Sequence, residues 1–225
     1  MKTRITLFPV LFSVLIAFTP VTAGAQTGDA ARGLTLHLTP GPGYESYTSF
    51  LLVFRIPLYP QIACWLETTE GAYLRTLYVT QKGATRKFYS APAGGRPEAL
   101  PVWYHRQSDG GSAVDAVSGA SSPGKSEIRL HADGALRPGR YVLYMEVNRS
   151  YDYNETFTRE IAGVNGQPSL VFRAILDVTD GASTASFAPV GTGSVDGSDG
   201  AIRDGLEGIT SALTIIEGAT VDYAP

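Results

Sequence analysis

The chain has 225 residues, 44% of them hydrophobic, with a net charge of −3 and a pI near 5.6. That balance leaves no basic footprint for nucleic acid or an anionic membrane surface. A single cysteine, Cys64, excludes an intramolecular disulfide.

The first 25 residues read as an export signal. Met1-Lys2-Thr3-Arg4 is a short basic start, an apolar run extends from Ile5 to Phe18, and Ala23-Gly24-Ala25 supplies the small-x-small site where such signals are cut. Cleavage after Ala25 leaves residues 26–225, enough for one well-buried domain. No Cys follows the apolar run directly, which closes the lipoprotein route. No other stretch is long and apolar enough to cross a bilayer, so no membrane insertion is expected.

Downstream, the dominant period is two. Leu34, Leu36 and Leu38 alternate with Thr35, His37 and Thr39, as in a half-buried strand. Phe50 to Ile56 is almost continuously apolar and reads as a strand buried on both faces. Gln61 to Thr68 and Tyr73 to Thr80 flank Glu70-Gly71 and predict a hairpin, with Cys64 a buried small hydrophobe beside Ile62 and Leu66. Ile128 and Leu130 alternate with Arg129 and His131. Tyr141, Leu143, Met145 and Val147 share a face, as do Leu170, Phe172, Ala174 and Leu176. Residues 180–208, rich in Gly, Ser and Asp, read as a long loop, and a last strand is expected from Leu213 to Tyr223, interrupted at Gly218. Gly and Pro break every long helical candidate. Strands that each bury one face must stack as two sheets, so the chain is expected to be all-β, an antiparallel β-sandwich.

Residues 115–126, Asp-Ala-Val-Ser-Gly-Ala-Ser-Ser-Pro-Gly-Lys-Ser, fit two unrelated motifs. Gly119 to Ser126 matches the phosphate-loop pattern G-x-x-x-x-G-K-[ST], which requires a helix afterwards. The period-two run from Glu127 and the turn residues Gly134 and Pro138 argue against it. Asp115 to Ser121 fits D-x-x-[ST]-G-A-[ST], which resembles the segment that a flavin transferase loads with covalent FMN. In that likeness Ser121 supplies the hydroxyl, Gly119 and Ala120 are small enough to admit the enzyme, and Asp115 and Ser118 fix register. Proteins with this pattern usually carry Thr at the position of Ser121. A serine hydroxyl is a weak nucleophile, so the transferase and its metal must activate it. The bland alternative is an ordinary polar loop.

Several blocks in order resemble a family of predicted periplasmic bacterial proteins of unassigned function. They are Ala63-Cys64-Trp65-Leu66-Glu67, Tyr73-Leu74-Arg75-Thr76-Leu77, Arg96-Pro97-Glu98-Ala99-Leu100-Pro101-Val102-Trp103, Val114-Asp115-Ala116-Val117-Ser118-Gly119-Ala120, Leu136-Arg137-Pro138-Gly139-Arg140-Tyr141, Glu146-Val147-Asn148-Arg149-Ser150, and Gly163-Val164-Asn165-Gly166-Gln167-Pro168-Ser169-Leu170. That family is itself similar to the immunoglobulin-like domain of flagellar hook-capping proteins. The resemblance implies an immunoglobulin-like β-sandwich in the periplasm, in company with flavin transferase and membrane electron-transfer proteins. It carries over no catalytic residues, and the hook-capping likeness bears on fold alone.

Other candidates are weaker. His37, His105 and His131 have no H-x-x-x-H spacing or His/Asp pairing in the sequence, so a metal site is not expected. Asp196, Asp199 and Asp204 read as turn residues. Trp103 and Tyr104 are candidate neighbours for a flavin ring, which needs an aromatic or apolar face; for Trp103, packing in the sandwich core is the competing assignment. Lys125 and Arg129 are placed to screen a phosphate. Asn148 to Glu155 reads either as a polar binding ledge or as a hydrogen-bonded turn. Two functional expectations follow: a non-enzymatic covalent FMN carrier, or an unmodified binding and scaffolding module.

Overall fold

The computed structural model describes residues 33–50, 54–85, 87–88, 95–109, 117–119, 127–130 and 136–225. The export signal expected at residues 1–25 lies outside them. Ala31 to Pro225 forms one compact unit.

Two sheets face each other across a common core, as the alternation requires. The smaller contains β1 (Gly33–Pro40), β7 (Glu127–Leu130), β10 (Ser183–Ser186) and β12 (Ile216–Ala224), ordered β10-β12-β1-β7. The larger contains β4 (Gln61–Glu67), β5 (Tyr73–Thr80), β6 (Val117–Gly119), β8 (Gly139–Asn148), β9 (Leu170–Val178) and β11 (Ala188–Thr192), ordered β11-β9-β8-β4-β5-β6. Pairing within the two sheets is antiparallel except for β5 with β6, which run parallel. Leu34, Leu36 and Leu38 of β1, with Ile128 and Leu130 of β7 and Val221 of β12, pack against Ile62, Cys64 and Leu66 of β4. Leu143, Met145 and Val147 of β8 and Leu170, Phe172, Ala174 and Leu176 of β9 complete this core. The expected all-β sandwich is what forms.

Three expected elements differ. The run Phe50 to Ile56 is not a strand buried on both faces. Its ends belong to two strands, β2 (Ser46–Phe50) and β3 (Phe54–Leu58), paired as a separate antiparallel hairpin. Ile56 is exposed there, and the Arg55 guanidinium lies 4.4 Å from the Tyr47 ring centroid. Apolar content leads to burial only where a second layer is at hand, and among the described residues this ribbon belongs to neither of the two stacked sheets. The segment 180–208 is not one long loop, because it contributes β10 to one sheet and β11 to the other. Finally, β12 starts at Ile216, since Ser211–Thr214 is a 3-10 turn, and the irregularity falls where Gly218 pairs with Thr39 and Ile216 with Pro40.

The outer face of the larger sheet carries a second core. Ala63, Trp65, Val79 and Val171 point outward and are covered by Leu100, Val102 and Trp103. That is why every residue of β4 is buried and its period-two signal is blurred.

Truncating Leu36, fully buried between the sheets, should cost about 3 kcal/mol by its lost transfer energy and residual cavity. Ile175→Ala on the open face of β9, where the side chain is about half exposed, should change stability by less than about 0.5 kcal/mol. Urea denaturation of both variants measures the contrast.

Candidate functional site

The second core is organised by a short helix, α2 (Pro101–Asp109), laid on the larger sheet. Pro101 opens it, where a missing N–H costs nothing. The next two N–H groups donate to a carboxylate from the sheet: Val102 N to Glu146 Oε1 at 3.2 Å and Trp103 N to Glu146 Oε2 at 2.8 Å. Ser169 Oγ donates to Glu146 Oε1 at 2.6 Å. Glu146 has no solvent exposure, and desolvation pushes its carboxyl up to about 7, with the hydrogen bonds from Ser169, Trp103 and Val102 pulling the other way. The approach is close on every side: a Cβ at Gly193 would lie 2.4 Å from Ser169 Oγ and 2.6 Å from Pro101 Cγ.

Around this cap the aromatic side chains are tied by their polar ends. Trp103 is 2% exposed, and its Nε1 donates to Thr76 Oγ1 at 2.8 Å. Trp65 Nε1 donates to the buried Glu67 Oε1 at 2.8 Å, and its ring stacks on Tyr144 with centroids 5.3 Å apart. Trp103 therefore takes the core position, and only part of it borders the surface. Tyr104, half-buried, is set edge-on to His105, whose Nε2 lies 3.1 Å from Gly197 O.

Beside Tyr104 lies a small hollow, with room for little more than a water, lined by Gly83, Phe88, Arg96, Leu100, Trp103 and Tyr104 among others. Gly83 belongs to α1 (Gln81–Thr85), which continues directly from β5. The Arg96 guanidinium lies 5.3 Å from the Phe88 centroid and is held by Glu98 Oε1 (2.8 Å), Ser150 Oγ (2.8 Å) and Asn165 Oδ1 (3.1 Å).

The expected acceptor residues separate into two groups. Ser118 and Gly119 lie in β6, opposite Val79 and Thr80. Asp115, Ala120 and Ser121 lie outside the described residues, as do Lys125 and His131, while Arg129 is placed only by its backbone in β7. Ser126 is followed by the strand β7 rather than a helix, which removes the setting a phosphate loop requires. Among the described residues, β6 is the edge strand of the larger sheet and β7 the edge strand of the smaller. Positions 120–126 therefore connect the two edges.

The stretch after β8 resolves as a hydrogen-bonded turn rather than an open polar ledge. Buried Arg149 bonds Asp152 Oδ1 at 2.7 Å and the carbonyl of Gly43, and Ser211 Oγ donates to the same Asp152 oxygen at 2.6 Å. Gly166 has φ +77 and passes so close to Asp152 that a Cβ would meet its backbone at 2.5 Å. Outside this lock stand Tyr151 (φ 63), Ile161 and Val164, all exposed.

The remaining expectations are quickly placed. His37 is partly exposed and pairs with Asp222 at 3.0 Å across β1 and β12. Asp196 accepts from Ser194 and Ser198, and Asp199 pairs with Arg203, so both act within their turns. No group of three metal-ligating side chains occurs among the described residues. Cys64 is fully buried, and desolvation pushes its thiol far above the usual range. Sequence reading missed Glu146 and Arg96. The signal for the first was an acidic residue between Met145 and Val147 in an otherwise apolar strand.

Residues 58–167 match the model of a family described as predicted periplasmic protein (DUF2271). The matched segment opens just before β4 and closes just before β9. It holds α1, α2, Glu146, the residues of the hollow and the whole of 115–126. No curated protein and no solved structure matches the chain. The match covers a little under half of the chain, so it is a likeness of that segment to the family. No helix among the described residues is long and apolar enough to cross a membrane.

Because the Glu146 carboxyl sits at about 7 rather than near 4.5, its contribution to stability is complete below about pH 4.5 and is lost as pH rises through about 7. The melting temperature attributable to this group should fall across that window. Glu146→Gln should flatten the fall, and Glu146→Ala, which orphans two buried N–H groups, should cost about 3 kcal/mol at pH 4.5 and less as pH rises through about 7. Thermal melts at pH 4.5, 6 and 7.5 compare the three proteins.

Proposed function

We propose that the chain is an exported, non-enzymatic β-sandwich that carries FMN covalently on Ser121 and passes electrons between partners outside the cytoplasm. The observation that carries this reading is the position of 120–126 between the edge strands of opposite sheets. The sequence around it fits the acceptor pattern from Asp115 to Ser121. Loading forms an Oγ–P bond at Ser121 and breaks the bond between the activated flavin phosphate and its leaving group; the hydroxyl proton passes to the transferase. FMN, once attached, supplies one- and two-electron chemistry. The protein's own part is to display and orient the group on a rigid support. Trp65, Trp103 and the Glu146 cap hold the larger sheet's outer layer in place for that purpose. The partners in this reading are a flavin transferase and membrane electron-transfer proteins.

One observation favours a second reading, a cofactor-free binding or scaffolding module. Tyr151, Ile161 and Val164 expose apolar surface on a turn whose backbone is locked from within, and Tyr151 N donates to Val164 O at 2.9 Å.

Intact-mass measurement after co-expression with a flavin transferase separates the two. The carrier should gain one FMN-phosphoryl increment and turn yellow. Ser121→Ala should abolish both, while Ser121→Thr should keep them. An unmodified, colourless wild-type protein sinks the carrier and leaves the scaffold.

A further inference from the structure

We propose that the polar cleft between the last turns of α2 and the loop that follows β11 binds a small zwitterion, a free amino acid or a dipeptide. Such a site stands independently of any cofactor on Ser121. The cleft encloses about 320 Å3 and is lined by His105, Arg106 and Asp109 from the helix and by Ser198, Asp199 and Gly200 from the loop. That volume lies at the lower end of the range for small-molecule sites.

Charge selects the class of ligand. Arg106 is incompletely neutralised: its Nε stands 3.7 Å from Glu67 Oε1, an oxygen that already accepts from Trp65 Nε1. The Nε is shielded from water and makes no hydrogen bond among the described residues, while the side chain as a whole is 40% exposed. A guanidinium so placed keeps its outer N–H groups for a carboxylate, which it can grip through two parallel bonds. Asp109 follows three residues later on the same helix; it is exposed, and its carboxylate forms no ion pair among the described residues. Asp199, on the opposite wall, is balanced within its own loop, since Arg203 donates to its two oxygens at 3.1 and 2.8 Å. One cation and one anion are thus left to face the cleft. A simple anion on Arg106 would meet Asp109, and a simple cation on Asp109 would meet Arg106. A molecule carrying both charges answers each.

Spacing agrees with this. Side chains three residues apart on a helix have Cβ atoms about 5–6 Å apart. The charged ends of a dipeptide are at most about 7 Å apart, and those of an amino acid are closer, so both sizes bridge the pair.

The walls are fixed from behind. His105 Nε2 lies 3.1 Å from Gly197 O, and a Cβ added at Gly200 would lie 2.5 Å from His105 Cβ, so loop and helix are in close contact. Ser198 N donates to Ser194 Oγ at 3.1 Å and to Asp196 Oδ1 at 3.0 Å, and Ala201 N donates to Asp199 Oδ1 at 2.9 Å. A loop ordered in advance lowers the cost of holding a ligand.

An NMR titration of the full chain at low salt, with glycylglycine and L-serine as probes, tests the site. At least one probe should give saturable amide shifts centred on Arg106, Asp109 and Ser198 to Gly200. N-acetylglycylglycine and glycylglycine amide, each lacking one charge, should bind about tenfold more weakly than glycylglycine or worse, and Asp109→Asn should weaken glycylglycine by a similar factor. Arg106→Gln should do the same; where it does not fold, Asp109→Asn, at an exposed position, decides. No saturable shift with either probe up to about 10 mM overturns the proposal. So do capped peptides or an Asp109→Asn variant that retain full affinity, shifts confined to another part of the chain, or a neutral disaccharide such as maltose binding as tightly as the probes.

Discussion

The larger sheet can bury both its faces only because the Glu146 carboxylate receives the first N–H groups of α2. One layer of the sandwich needs no such device, since Leu, Ile and Val side chains from two sheets interlock across it. The outer layer has a nine-residue helix as its main cover, too short to hold itself together in water. A buried acceptor at the helix start satisfies groups that would otherwise be orphaned. Trp103 is then delivered onto Val79 and Trp65, and its indole N–H finds Thr76. Remove the carboxylate and the second core loses its organising contact, while the first stays closed.

This division explains how a β-sandwich acquires distinct ends and faces. The smaller sheet adds strands from the beginning and the end of the chain, β1 beside β12. The larger collects the middle, and the matched family segment covers the portion with the helix, the hollow and the edge-to-edge connection. The polar lock around Arg149, Asp152, Gln167 and Ser211 closes the turn after β8. Charged groups are removed from water there only with partners, as burial demands.

Legibility followed the physics of each signal. Leu34, Leu36 and Leu38, or Leu143, Met145 and Val147, alternate because one face of their strands meets the core, and period two reported that directly. Both strands of the hairpin around Glu70-Gly71 were equally plain, with Gly71 at φ +85 in the turn. Phe50 to Ile56 misled because hydrophobicity encodes affinity for a second layer and not whether one is present. The segment 180–208 misled for the opposite reason: Ser, Thr and Gly in β10 and β11 give a weak local strand signal, and their order comes from pairing with β12 and β9, which no local window contains. Of the site, the acceptor pattern and the pair Trp103 and Tyr104 were visible as residue types. The role of Glu146 was not, since it joins positions forty-odd residues apart that only the fold brings together.

Cys64 lies between Ile62 and Leu66 on the inward face of β4, with no exposed atom and a thiol that resists ionisation. Thiolate is the species that enters exchange with disulfides and reacts with oxidants. In the folded chain this sulfur is consequently withheld from both, and it stays a reduced, inert filler of the core whatever the redox poise of the surroundings.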